Sequence, residues 1–306
     1  MTTYAIKRVL QMIPTLIGVS VLVFIMIHSI PGDPARLIAG YDATEQDVQL
    51  MRERLGLDQP LIYQYTHYVG NLLKGDLGDS LRSERPVLHE IMIRFPTTIK
   101  LTLMAIGFMV VIGLLAGIFS ATKPNSRRDN GFMMLSLFGI SMPVFWLGLM
   151  LILLFSYYFK LLPSGGSDHF SQFILPSFAV GLSSSAILAR LTRSSLLEVI
   201  HQDFIRTARA KGVKERVVIL KHALKNALIP IITIVGLEFG HLLGGAVLTE
   251  TVFSMNGLGR FIIQSIEYRD YPAVQGTVLF CAAIFVVVNL IVDLCYSLVD
   301  PRVKYE

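Results

Sequence analysis

Apolar residues in this chain gather into blocks of about 20 and do not alternate with polar ones. Six blocks cover residues 9–30, 101–121, 132–159, 173–189, 228–248 and 273–299, with few charges inside them. A helix rises 1.5 Å per residue, so each block approaches or exceeds what is needed to cross ~30 Å of hydrocarbon. The pattern predicts an all-α membrane protein with six transmembrane helices, the two longest with room for tilt or a kink. The first block follows Lys7 and Arg8, as a secretory signal would. Its apolar stretch is longer than the ~7–15 residues of a signal core, and no small-x-small cleavage site follows Ile30, so it reads as an uncleaved span.

Composition agrees with this class. Hydrophobic residues make up 53% and charged residues 16%, with a mean hydropathy of +0.59, whereas a soluble domain carries roughly 25% charged residues. The position of the cations is more informative. With the N-terminus inside, 16 of the 27 Lys and Arg face the cytoplasm, nine of them between Arg190 and Lys225. Seven of the remainder lie in the long first loop, which should be discounted because long segments translocate largely regardless of charge. Both termini are therefore expected in the cytoplasm. The lipid bilayer is an expected partner and nucleic acid is not. Cys281 and Cys295 stand 14 positions apart on one expected helix, about 21 Å along its axis, too far to pair with each other.

The expected division is a first transmembrane helix over 1–30, a helical extracytoplasmic insertion over 31–98, and a five-helix core over 99–306 with a cytoplasmic segment at 203–226. Within the insertion, Thr44 is a candidate N-cap for a helix carrying Val48, Met51 and Leu55 on one stripe. A second helix within 60–74 aligns Tyr65, Val69 and Leu72. The insertion serves as a lid or as a docking rim for an external partner.

The segment 203–230 reads DFIRTARAKGVKERVVILKHALKNALIP. Up to Gly212 it forms a short basic amphipathic helix, which Gly212 can end in the left-handed conformation. A second helix then leads back to the membrane near Pro230. Cations beside a membrane commonly enforce topology or hold anionic lipid. Here they alternate with the small residues Thr207, Ala208 and Ala210, which suits insertion into a groove on another protein.

RTARAKG, nine residues and HALKNALIP together resemble the cytoplasmic coupling signature of permease subunits in binding-protein-dependent ABC importers, in particular the peptide and nickel class. Further matching stretches include KRVLQMIPTL, IPGDPA, LGLDQPLIYQY, GDLGDS, GISMPVFWLG, ARLTRSSLLEV, ETVFSMNGLGR, YRDYPAVQG and NLIVDLCYSLVDPR. The generic importer pattern starts Glu-Ala-Ala where this chain has Arg206, Thr207 and Ala208, the usual form in the peptide class. The resemblance implies a multi-pass permease of the bacterial inner membrane, paired with a second homologous permease. Two ATP-binding subunits would dock below it and an extracytoplasmic substrate-binding protein above. Arg206, Thr207, Ala208, Arg209, Ala210, Lys211 and Gly212 would form the coupling helix. It also implies a non-catalytic chain with no cofactor, ATP and Mg being held by the partner subunits; no G-x-x-x-x-G-K-[ST] loop occurs here. The implied cargo is a dipeptide or oligopeptide, with glutathione, nickel or a metal chelate as alternatives.

Polar residues within the spans are the remaining candidates. Gly236, Gly240 and Gly244 share one face of the fifth span and permit close helix packing. Glu238 and His241 lie on other faces, with Thr249 grouped beside His241. A charge in the bilayer centre costs at least ~2.5–3.5 kcal/mol, so Glu238 should face protein or water, either in a translocation path or as a hydrogen-bonded structural pair with His241. Two possible ligands on one helix make a weak metal signal, and no metal is expected. Phe253, Asn256, Gly257, Leu258 and Gly259 form an outer segment read as polar, flexible and exposed, a contact for the binding protein by the resemblance. A competing class is an ion-coupled secondary transporter using Glu238, against which stand the missing inverted repeat and the coupling hairpin. A structural membrane scaffold is a third possibility.

Overall fold

The computed structural model describes residues 2–29, 33–39, 43–54 and 56–299. They are almost wholly helical. The apolar runs form α1 (Thr2–His28), α5 (Val87–Thr122), α6 (Arg127–Ser141), α7 (Val144–Leu151), α8 (Ile174–Ile200), α11 (Leu224–Gly245) and α14 (Tyr271–Val299). Short helices connect them: α2 (Pro34–Ala39), α3 (Glu45–Arg54) and α4 (Leu61–Leu72) in the insertion, α9 (Asp203–Ala210) and α10 (Glu215–Val217) before α11, and α12 (Val247–Val252) and α13 (Leu258–Glu267) before α14.

Four helical stretches are long and apolar enough to cross a bilayer: Val87–Thr122, Phe170–Ile200, Glu215–Leu243 and Tyr271–Val292. The expected third span is instead two helices, Arg127–Ser141 and Val144–Tyr158, meeting at 100°. Pro143 explains the break. Proline has no N–H for the helical ladder and forces its predecessor out of the helical region, and Met142 is accordingly extended at φ −82°, ψ 127°. In α1 the strongly apolar part is Ile13–Met26, shorter than a full span.

The central pair is α5 with α8. Glycines let their backbones approach: a Cβ on Gly117 would lie 2.5 Å from the Thr192 Cβ, and one on Gly181 2.5 Å from the Ala105 carbonyl oxygen. At one end of the pair, Asp129 at the start of α6 accepts two hydrogen bonds from Arg193 of α8, Nε to Oδ1 at 2.8 Å and the terminal nitrogen to Oδ2 at 2.7 Å. On the outer side of α11, Gly236 and Gly240 sit against Val292 and Phe285 of α14 where any Cβ would collide. That is the packing expected of the glycine face. The surroundings of its third member, Gly244, lie outside the described residues, as do those of Asp293 and Cys295.

The insertion forms both expected helices. Thr44 caps α3 reciprocally: its Oγ1 accepts from the Asp47 N–H at 3.3 Å, and Asp47 Oδ2 accepts from the Thr44 N–H at 3.1 Å. Leu55 lies outside the described residues. The α4 helix docks on α1 through a Ser20–Tyr65 hydroxyl pair at 2.9 Å and His28 Nε2 with Gln64 Oε1 at 3.1 Å.

Candidate functional site

The basic segment folds as two short helices around a left-handed glycine. Gly212 has φ +75°, and its N–H donates to Arg209 O at 2.9 Å while Val213 N–H donates to Ala208 O at 3.3 Å, closing the end of α9 in a Schellman-like turn. Ile205 faces inward and is fully buried with Leu196, Val199, Val218, Ala223 and Ala227. Arg206, Thr207, Arg209, Ala210, Lys211 and Gly212 are exposed, and Ala208 is half-buried. The expected amphipathic helix and its stop are therefore both present, with one apolar anchor and a continuous exposed face.

Arg209 reaches across the turn to Glu215, with Nε to Oε2 at 3.1 Å and the terminal nitrogen to Oε1 at 2.7 Å. The hydrogen bonds to Glu215 raise the Arg209 pKa above its ordinary value. This forked contact spans the turn between α9 and α10. Beyond α10 the backbone passes through a wide π-helical turn, Val218–Ala223, directly into α11, and Pro230 lies inside α11 with no break there.

Along α11, Glu238 is half-buried and its Oε2 accepts from the Ser184 hydroxyl of α8 at 2.8 Å. His241 is exposed, with no hydrogen bond to Glu238 among the described residues. Thr249 stands on a separate helix, α12, and is buried. The structure thus groups Glu238 with Ser184, a partner the α11 pattern could not reveal, and separates it from Thr249.

The expectation of an exposed outer segment at 253–259 needs correction. Phe253 is 1% exposed and Leu258 1% exposed, and Gly257 and Gly259 are buried. Phe253 packs among Leu101, Leu151, Phe173, Leu175 and Met255, in a slot opened by Gly148, where a Cβ would come within 2.9 Å of the Phe253 ring. Its carbonyl accepts from Gly166 N–H at 2.9 Å. Of the five residues, only Asn256 is exposed, flanked by exposed Thr251 and Ser254.

Glu250, which no sequence pattern singles out, explains the compactness of this segment. It is fully buried, and its Oε1 accepts the Thr98 hydroxyl at 2.6 Å while Oε2 accepts the Arg260 N–H at 3.0 Å. Thr98 Oγ1 in turn accepts from Leu258 N–H at 2.8 Å, and Gly257 leaves the space the carboxylate fills. Burial pushes the Glu250 carboxyl above the usual carboxylate range, against the opposing pull of its hydrogen bonds from Thr98, Arg260 and Gly259. The only signal in the sequence was an acid just past an apolar block and ahead of two closely spaced glycines. A second buried acid, Asp270, ties the insertion to the start of α14 through the Ser80 hydroxyl at 2.5 Å and the Leu81 N–H at 3.1 Å.

Residues 113–305 match the family model described as "Binding-protein-dependent transport system inner membrane component", and residues 1–102 match its N-terminal companion. The chain is 47% identical to the glutathione transport system permease protein GsiC of Escherichia coli (strain K12), over all 306 residues and the full length of both chains. It is also 47% identical to GsiC of Shigella flexneri serotype 5b, again over the full length of both. Among solved structures, an inward-facing MetNI methionine ABC transporter superposes with a TM-score of 0.58 at 21% identity, covering 69% of this chain and 96% of that one. At that identity the likeness is one of fold.

Proposed function

The chain belongs to the family of binding-protein-dependent transport system inner membrane components, and on that premise we propose that it carries short peptides, glutathione first among them, into the cytoplasm. It is the permease subunit of an ABC importer of the bacterial inner membrane. The observation that carries the cargo reading is the 47% identity to a glutathione permease along the entire length of both chains. Dipeptides and longer peptides remain within the same reading, since cargo selection in such systems is shared with the external binding protein.

The proposed arrangement has six spans with both termini inside, α1 and the bent α6–α7 pair each counting as one. The three divisions are 1–30, 31–98 and 99–306. The chain performs no covalent chemistry. Two ATP-binding subunits hold ATP and Mg and dock against the exposed face of Arg206–Gly212, whose anchor Ile205 and clamp Arg209–Glu215 support movement as a rigid unit. A second homologous permease completes the path, and a binding protein delivers cargo at the outer side, where Asn256 is the exposed member of its segment. Closure of the ATPase pair would then reorient the helices around Glu238 and Ser184, an alternating-access movement of packed bodies.

Reconstituting the chain with its cognate partners in proteoliposomes tests this reading. Labelled glutathione, dialanine and nickel are offered in turn with ATP inside and the binding protein outside. ATP-dependent uptake of glutathione supports the proposal, and uptake of nickel alone refutes the peptide cargo. Uptake by this chain alone, driven by an ion gradient, would overturn the importer mechanism itself.

A further inference from the structure

The two longer helices of the insertion have opposite chemistry. In α3 five of the ten residues are charged, Glu45, Asp47, Arg52, Glu53 and Arg54, and the ion pairs Arg36–Glu45 and Arg52–Asp33 tie it to α2 and the turn before it. That is a helix made for water. The 12 residues of α4 include no Asp, Glu, Lys or Arg, and none of them is buried. At 100° per residue its side chains sort by face. Tyr65 and Tyr68 meet α1, and Gln64, His67 and Asn71 form a polar face to one side. On the other side Ile62, Val69 and the C-cap residue Leu73 form an apolar stripe at i, i+7 and i+11. Leu73 at 86% and Ile62 at 79% are the two most exposed large apolar side chains among the described residues.

What covers that stripe follows from where α4 sits. It docks on α1 through the Ser20–Tyr65 hydroxyl pair at 2.9 Å and through Phe24, whose ring lies 5.3 Å from Tyr65 and 6.4 Å from Tyr68. Ser20 and Phe24 belong to the strongly apolar part of α1, Ile13–Met26, and the His28–Gln64 contact is only ~12 Å further along the axis than Ser20. Toward the start of α1 the face that carries Ser20 and Phe24 continues through Ile17 and Ile13, both exposed. Lipid that covers Ile13 and Ile17 therefore meets α4 as it extends outward along the same face. An uncharged amphipathic helix rich in tyrosine, placed at the outer end of an apolar span, has the character of a helix lying in the membrane interface.

We propose that α4 lies in the outer leaflet at the boundary of headgroups and acyl chains, with Ile62, Val69 and Leu73 against phospholipid, and so moors the insertion to the membrane while α3 stays in water. This rests on the reading of α1 as a span.

The test places the photoreactive residue p-benzoylphenylalanine at Ile62, Leu73, Ile17 or Leu50, one at a time. Each chain is assembled with the second permease and the ATPase subunits in nanodiscs of phosphatidylethanolamine and phosphatidylglycerol with tritiated acyl chains, and irradiated with and without binding protein. Ile62 and Leu73 should bring tritium into this chain as Ile17 does, and about fivefold more than Leu50, which is exposed on the charged helix α3. Label at Ile17 with none at Ile62 and Leu73 overturns the placing of α4 alone, whereas no label at Ile17 overturns the span on which it rests. Crosslinks from Ile62 and Leu73 to the second permease or the binding protein in place of lipid overturn the proposal, as does equal labelling from Leu50. Phospholipid carrying a diazirine on its acyl chain gives the same reading on the unaltered complex: label is expected in peptides from 61–73 and not in those from 45–54, and the reverse pattern refutes the mooring.

Discussion

Thr98 of α5 donates its hydroxyl to Glu250 of α12 at 2.6 Å across 152 residues of chain, and the same oxygen receives the Leu258 N–H at 2.8 Å. One hydroxyl therefore bridges a buried carboxylate and the first residue of α13. Thr98→Val removes both contacts while keeping the shape. It leaves a buried acceptor and a buried donor unpaired, each worth ~1–3 kcal/mol. We expect a lower unfolding temperature for the purified complex and loosening of residues 253–260, read by faster hydrogen exchange at Met255 and Leu258.

Glu250 also predicts a pH dependence. Its carboxyl pKa in the folded chain is raised above the ordinary 4.5 by burial, so between those two values the folded state binds more protons than the unfolded state. Stability should then fall as pH rises through 4.5 toward the folded pKa and stay level above it. Thermal unfolding from pH 4.5 to pH 8 checks the sign, with Glu250→Gln expected to flatten the slope. A slope unchanged in Glu250→Gln would assign the effect to other groups.

The Asp129–Arg193 pair predicts a larger effect at one contact. Asp129 is 1% exposed at its side chain and Arg193 25% exposed, so Asp129→Ala leaves a partly desolvated guanidinium and also strips the Asn125 N–H of its acceptor at 2.8 Å. Removing one partner of a buried pair costs ~3–5 kcal/mol, and the exposure of Arg193 puts this case near about 3 kcal/mol. The charge-reversed double variant, Asp129→Arg with Arg193→Asp, should recover part of the loss, measured as coupling in a double-mutant cycle. Recovery stays incomplete because the Asn125 contact is not restored.

What could be read from the chain beforehand was local in origin. Apolar runs marked the long helices, Thr44 marked the start of α3, and Gly212 marked the end of α9, because each depends on residues within one or two turns. The side-chain partners of Glu250, Asp129 and Glu238 lie 54 to 152 residues away, and such pairing across helices follows from packing that periodicity does not encode. The bend at Met142–Pro143 falls in one of the two blocks long enough for a kink, but hydropathy along 132–159 is continuous and gives neither the place nor the angle of the break. Phe253 misled because its neighbours are turn formers, whereas the slot that buries it is made by Gly148 and Gly165, about 90 to 105 residues earlier in the sequence.

Gly212 separates backbone geometry from docking. A Cβ there meets nothing within 4 Å, so Gly212→Ala carries only the left-handed backbone cost of ~1–2 kcal/mol, and Gly212→Asn, which tolerates that conformation, should cost less. Both should retain most transport. Gly212→Trp places a large side chain on the exposed face and should abolish uptake in an assembled complex while the ATPase subunits still hydrolyse ATP. Full uptake by the Trp variant would refute the proposed docking of an ATPase subunit on Arg206–Gly212.

Glu238 distinguishes a path residue from a structural one. Its Oε2 accepts from Ser184 Oγ at 2.8 Å, and Ser184→Ala removes that donor while leaving the carboxylate in place. If the pair only braces α8 against α11, Ser184→Ala and Glu238→Ala should lower unfolding temperature together and leave uptake per assembled complex unchanged. If Glu238 lines the path, Glu238→Ala should cut the maximal uptake rate about tenfold, the equivalent of ~1.4 kcal/mol, while Ser184→Ala changes it far less. We expect the second pattern, because a half-buried carboxylate within an apolar span costs more than one serine contact repays. Equal uptake in both variants would reduce the pair to a brace.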